Sequence, residues 1–168
     1  MNIKKKLQLC FLTFFYVGKI KFAPGTFGTL AGLVAGFFVL YYLQIQTLFL
    51  ASILLFIASI SIINDYENTS KTHDDKSIVI DEVAGIWLAL SLGAWACNSY
   101  LNLALCFVFF RLFDIFKPSI IGRVDKNVKG GLGVMLDDML AGLFAGLLAS
   151  IIHGVILRLE LFSQNLIK

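Results

Sequence analysis

Five apolar stretches, 28–43, 47–63, 83–97, 101–113 and 139–157, alternate with polar segments along the chain. Each is long enough for a helix, yet several fall short of the roughly 20 residues that a bilayer core asks of one. The pattern predicts helices whose polar ends sink into the bilayer edge, or a helix pair that crosses only in part. A further apolar run, 7–17, follows Lys4, Lys5 and Lys6. It begins like a signal peptide, but no small-x-small cleavage site follows, and Gly18-Lys19-Ile20-Lys21 is a poor exit. An uncleaved helix at the interface, its basic end among headgroups, is the expectation. The chain therefore reads as a single all-α domain over 1–168, a polytopic membrane helical bundle of four to five apolar helices plus an N-terminal interfacial helix.

The connections sharpen this picture. Residues 44–46 and 98–100 are short and uncharged, whereas 1–27, 64–82 and 111–138 hold 12 of the 14 basic residues and 10 of the 11 acidic ones. If each apolar stretch crosses once, parity gathers those three segments on one side, which the positive-inside tendency makes cytoplasmic. Asp138, Gly142, Gly146, Ser150 and Gly154 recur every four residues beside Ala141, Ala145 and Ala149, and Gly28, Gly32 and Gly36 repeat the device. Such small-residue stripes let membrane helices approach closely.

Composition decides between lipid and water. At 58% apolar and 15% charged residues, with 16 phenylalanines and a mean hydropathy of +0.84, the chain holds more apolar surface than a soluble domain of its size can hide. A net charge of +3 argues against a nucleic-acid partner and suits a membrane surface. Cys10, Cys97 and Cys106 are an odd number in apolar surroundings, so they read as reduced packing residues. Cys106 and Arg111 are one residue too close for the cysteine phosphatase loop.

Four polar elements are candidates for chemistry. Asp81 and Glu82 follow Ile78-Val79-Ile80 at the threshold of an apolar helix; one acid suffices for a cap, and two acids sunk toward hydrocarbon call for a cation. Arg111, Asp114 and Lys117 step by three, so they share one helix face until Pro118 ends the helix. In the third element the glycines at 130, 131 and 133 are expected to make a flexible turn with amides toward an anion, ahead of Asp137 and Asp138 at a helix N-terminus. In the fourth, Thr26 and Thr29 follow Pro24-Gly25 at a helix start suited to phosphate. Acidic oxygens from three helix ends suit Mg2+. His73, oriented by Asp74, is the candidate general acid, and His153 reads as a packed neutral side chain. A cation carrier or channel is the rival, but it predicts acids spaced through the membrane depth, and these stop at one face. A structural subunit leaves their clustering unexplained.

Taken together, 23–30, 73–85, 110–118 and 125–142 resemble the phosphatidylglycerophosphatase A family, with the motifs in the expected order across most of 22–146. The resemblance implies a magnesium-dependent hydrolase of the bacterial inner membrane. Its substrate is the lipid phosphatidylglycerophosphate, and its product is phosphatidylglycerol in the last step of that lipid's synthesis. Asp75-Lys76 and 19–21 look like local variation that bears on substrate breadth. On this reading Glu82, Asp114 and Asp138 hold Mg2+, helped by Asp81 and Asp137, while Arg111, Lys117 and Lys129 bind phosphate oxygens. Direct attack by water and attack by an aspartyl nucleophile, Asp81 or Asp137, both remain open.

Overall fold

Pro24 opens one helix and Pro118 follows the end of another, as their missing amide hydrogens require. The computed structural model describes residues 3–70, 75–94 and 100–166; His73, Asp74 and Cys97 lie outside them. Within them run α1 (Ile3–Leu12), a 3-10 turn (Val17–Lys19), α2 (Pro24–Tyr42), α3 (Ile45–Ser70), α4 (Ile80–Ala94), α5 (Tyr100–Phe116), α6 (Ile120–Asn127) and α7 (Gly130–Leu166), with no strand among the described residues. The all-α bundle read from the pattern is the observed fold.

Three helices, α2, α3 and α7, are long and apolar enough to cross a membrane. Within the described residues α4 spans 15 positions and α5 spans 17. α4 is the central helix: it packs against α2, α3, α5 and α7, and Val83, Ala84, Ile86, Ala89 and Leu90 are fully buried. Outward positions such as Phe38 on α2, Leu50, Leu54 and Ile57 on α3, and Ile151 and Val155 on α7 are exposed apolar side chains, as a bilayer solvent demands.

The helices are joined by close backbone approach and by hydroxyl groups. Gly142 on α7 lies against the backbone of Gly85 on α4, leaving no room for a Cβ. Ser52 Oγ donates to the Ala84 carbonyl at 2.8 Å, Ser150 Oγ to that of Leu92 at 2.9 Å, and Trp87 Nε1 to that of Gly32 at 2.8 Å. Polar side chains bridging helices in this way are the packing glue of membrane bundles.

Two expectations are corrected. The glycines at 130, 131 and 133 are no flexible turn: they form the start of α7, where the Gly131 amide donates to Asn64 Oδ1 at 2.7 Å and the Ile60 backbone leaves no room for a side chain. Tertiary contact with α3 overrides the poor helix propensity of glycine. Asp137 and Asp138 consequently sit two turns inside α7, beyond the reach of its N-terminal dipole. At the other end of the chain, Lys5 and Lys6 of α1 are exposed, while Leu12 and Thr13 are fully buried and the Leu12 carbonyl accepts the Val79 amide at 3.0 Å. The N-terminal helix is thus tied to the segment that leads into α4.

Candidate active site

That lead-in segment determines where the first acids point. Asp75 accepts the Ser77 amide at 3.0 Å and the Tyr66 hydroxyl at 2.8 Å, while Lys19 Nζ donates to Ser77 Oγ at 2.9 Å. Burial pushes the Asp75 carboxyl up, but the hydrogen bonds from Ser77 and Tyr66 and the charge of Lys19 outweigh it and hold it below its ordinary 3.8. Val79 and Ile80 are then buried as anchors, and Asp81 and Glu82 emerge in the first turn of α4, where the helix dipole favours their charge.

The last turns of α5 supply the cations. Arg111 Nη1 donates to Asp114 Oδ2 at 2.5 Å and to Thr29 Oγ1 at 3.3 Å, and its Nη2 to Thr26 Oγ1 at 3.3 Å. Thr29 in turn donates to the Gly25 carbonyl at 2.9 Å. Lys117, just past the helix at a φ of 43°, donates to Asp125 Oδ1 at 2.6 Å and to Asp137 Oδ2 at 2.5 Å. Burial works against its charge, yet those two hydrogen bonds and the two carboxylates push its ammonium above the ordinary 10.5.

Here the pieces meet. Carboxylate oxygens of Asp81, Glu82 and Asp138 all lie within 4.8 Å of one another. Glu82 Oε2 and Asp137 Oδ1 are buried with no hydrogen-bond partner. Gly25, in the first turn of α2, lies so near Glu82 Oε1 that any Cβ would strike it. Crowded carboxylates with orphaned oxygens are costly to bury unless a cation compensates them. Oxygen donors without nitrogen or sulfur suit a hard divalent ion, so the residues fit Mg2+.

The surrounding cavity is about 710 Å³ and is lined from all four sequence elements. Thr26, Asp81, Glu82, Arg111, Asp114, Lys117, Lys129, Asp137 and Asp138 all border it. Thr29 does not: it is fully buried behind Arg111 and orients the guanidinium instead of facing a ligand. Asp81, Glu82 and Asp138 converge, and Asp114, paired with Arg111, lies beside Glu82 and Asp138. Glu67, Asp75 and Asp125 also line the cavity, and none of them was among the site residues expected from the sequence. The polar tail of α3 after Ile63 was the available signal for Glu67, since its helix simply continues past the apolar stretch.

A helical bundle with an apolar outer surface, whose acids, arginine and lysines converge at one end, defines a membrane protein that can hold a cation beside an anionic group. Its sequence matches phosphatidylglycerophosphatase A over residues 10–153, and the chain belongs to that family. It is 34% identical to the phosphatidylglycerophosphatase A of Haemophilus influenzae over 76% of this chain and 77% of that protein. With the Escherichia coli protein of the same name the identity is 35% over 71% of this chain and 68% of the relative. A Bacteroides thetaiotaomicron protein named as a candidate phosphatidylinositol-3-phosphatase is 34% identical over 86% of this chain and 92% of its own length. No solved structure matches the chain.

Proposed function

We propose that this chain removes the terminal phosphate of phosphatidylglycerophosphate, releasing phosphatidylglycerol and inorganic phosphate, at the cytoplasmic face of a bacterial inner membrane. The observation that carries the reading is the convergence of Asp81, Glu82 and Asp138 beside Arg111 and Lys117 in one cavity at the polar end of the bundle. Membership of the phosphatidylglycerophosphatase A family supports it independently.

Asp81, Glu82 and Asp138 would hold Mg2+, with Asp137 and Asp114 beside them. When bound, the ion supplies positive charge against the phosphate and activates water. The chain's own residues do the rest. Arg111, held by Thr26, Thr29 and Asp114, presents a preset guanidinium whose planar donors match phosphate oxygens. Lys117 bridges Asp125 and Asp137 and keeps its charge at the cavity wall, and Lys129 adds a second ammonium there. The lipid's acyl chains stay in the leaflet while its phosphomonoester reaches acids at headgroup depth. The Bacteroides relative makes phosphatidylinositol 3-phosphate the second substrate to test.

The test is phosphate release by purified protein in detergent with phosphatidylglycerophosphate, with Mg2+ or with a chelator. Release that requires the metal, and that drops by at least about a hundredfold in Asp138→Asn, is the expected result. An inactive wild type, or an Asp138→Asn variant with full activity, would overturn the reading.

A further inference from the structure

Residues 1–27 carry five lysines and no acidic residue. From residue 3 onward they form α1 and the 3-10 turn, a unit that ends at Ala23 on the wall of the acidic cavity. Lys5, Lys6 and Lys21 are exposed, and no ion pair among the described residues engages them. Most acids of this end of the bundle line the cavity instead. Interspersed with the lysines, Leu7, Phe15 and Phe22 are exposed at 66%, 76% and 80%. The exposure of Phe15 belongs to an ordered turn: its amide donates to the Cys10 carbonyl at 2.8 Å, and the Gly18 amide to that of Thr13 at 3.0 Å. Immediately after the unit, Pro24 opens α2, which is long and apolar enough to cross a membrane, so Lys21 and Phe22 stand at the level of the headgroups.

The inner side of the same unit grips the segment that leads into α4. The Leu12 carbonyl accepts the Val79 amide at 3.0 Å, and Lys19 Nζ donates to Ser77 Oγ at 2.9 Å. Gly18 lies so close to the Ser77 carbonyl that a Cβ would overlap it. Asp81 follows only two residues after Val79.

We propose that this N-terminal unit docks on bulk anionic phospholipid around the bundle and thereby braces the start of α4 that carries Asp81 and Glu82. Exposed aromatic rings beside lysines suit the membrane interface, and a cationic face without a carboxylate selects anionic over zwitterionic headgroups. Lipid that binds only the docked unit shifts the population toward the arrangement in which the acids are placed. The docking stands apart from the lipid phosphatase reading; its effect on turnover rests on that reading.

The experiment uses full-length protein in nanodiscs at constant free Mg2+ and a constant share of phosphatidylglycerophosphate, while phosphatidylserine replaces phosphatidylcholine as the bystander lipid. Turnover of wild type is expected to rise severalfold with phosphatidylserine. The triple variant Lys5→Gln, Lys6→Gln, Lys21→Gln should match wild type in phosphatidylcholine and lose that rise. Docking itself is read by brominated lipids that quench the fluorescence added by Phe22→Trp over wild type. Phosphatidylserine should be preferred over phosphatidylcholine there by about fivefold, and high salt should erase the preference. Leu54→Trp, on the exposed apolar face of α3, should show no preference. Equal affinity for the two lipids at Phe22→Trp overturns the docking. Turnover that ignores phosphatidylserine, or that responds to it equally in the triple variant, overturns the brace. Wild type inactive in every lipid would instead sink the phosphatase reading, and the quenching ratio would then decide the docking alone.

Discussion

Asp75 shows how a residue outside the acidic cluster can shape it. Its carboxylate joins Tyr66 of α3 to the Ser77 amide, two residues before the buried Val79 that anchors the first turn of α4. Because its folded pKa is held below the ordinary 3.8, Asp75 contributes stability that is present above that value and is lost as pH falls through the folded pKa. Asp75→Asn should therefore melt below wild type at neutral pH, with the gap closing below about pH 4. Melting curves of detergent-solubilised protein across that range check it, and a gap that widens at low pH would contradict it. In the sequence Asp75 looks like local variation, because its partner Tyr66 lies on another element and nothing in the spacing announces the contact. Lys117 was legible as a cation on the face of Arg111 and Asp114, but its tie to Asp125 and Asp137 depends on the turn after Phe116. By contrast, the paired acids Asp81 and Glu82 announce themselves, since ionisable groups beside an apolar run carry a cost that only a function repays.

At the scale of elements, the small-residue stripe on α7 was read as close packing along its whole length, and the structure grades it. Gly142 is jammed against Gly85 of α4, whereas a Cβ on Gly154 would have nothing within 4 Å. Gly142→Leu must push α4 and α7 apart and displace Asp138 from Glu82, at a cost of about 1–3 kcal/mol or more. Gly154→Leu should be close to neutral. Unfolding in detergent and phosphate release, measured side by side, test this contrast; equal losses in the two variants would refute the packing argument. The period of four is visible in sequence because it follows from helix geometry, but which turns face a neighbour depends on where that neighbour ends. The stop at Pro118 was legible for a local reason, a ring that cannot continue a helix. The glycine-rich start of α7 was not, because Asn64 and Ile60, remote in sequence, hold it helical.

For the whole molecule, charge alternation foretold the assembly of the site better than it foretold any single helix. Segments 23–26, 75–82, 111–117 and 125–138 all contribute to one cavity, as parity required. Parity works because a hairpin of helices returns the chain to the side it left, whatever the length of each arm. The same logic assigns sides to the loops. The turn holding exposed Gln44, between α2 and α3, belongs opposite the cavity, and exposed Lys126, near the end of α6, belongs beside it. With basic residues concentrated at the cavity end, the positive-inside tendency predicts that this end faces the cytoplasm. In a variant lacking the three native cysteines, Lys126→Cys should react with a membrane-impermeant thiol reagent in inside-out vesicles and Gln44→Cys in spheroplasts. Labelling of both from one side would break the parity argument. The reverse pattern would keep the bundle and turn its cavity away from the cytoplasm, placing the substrate's phosphate in the outer leaflet.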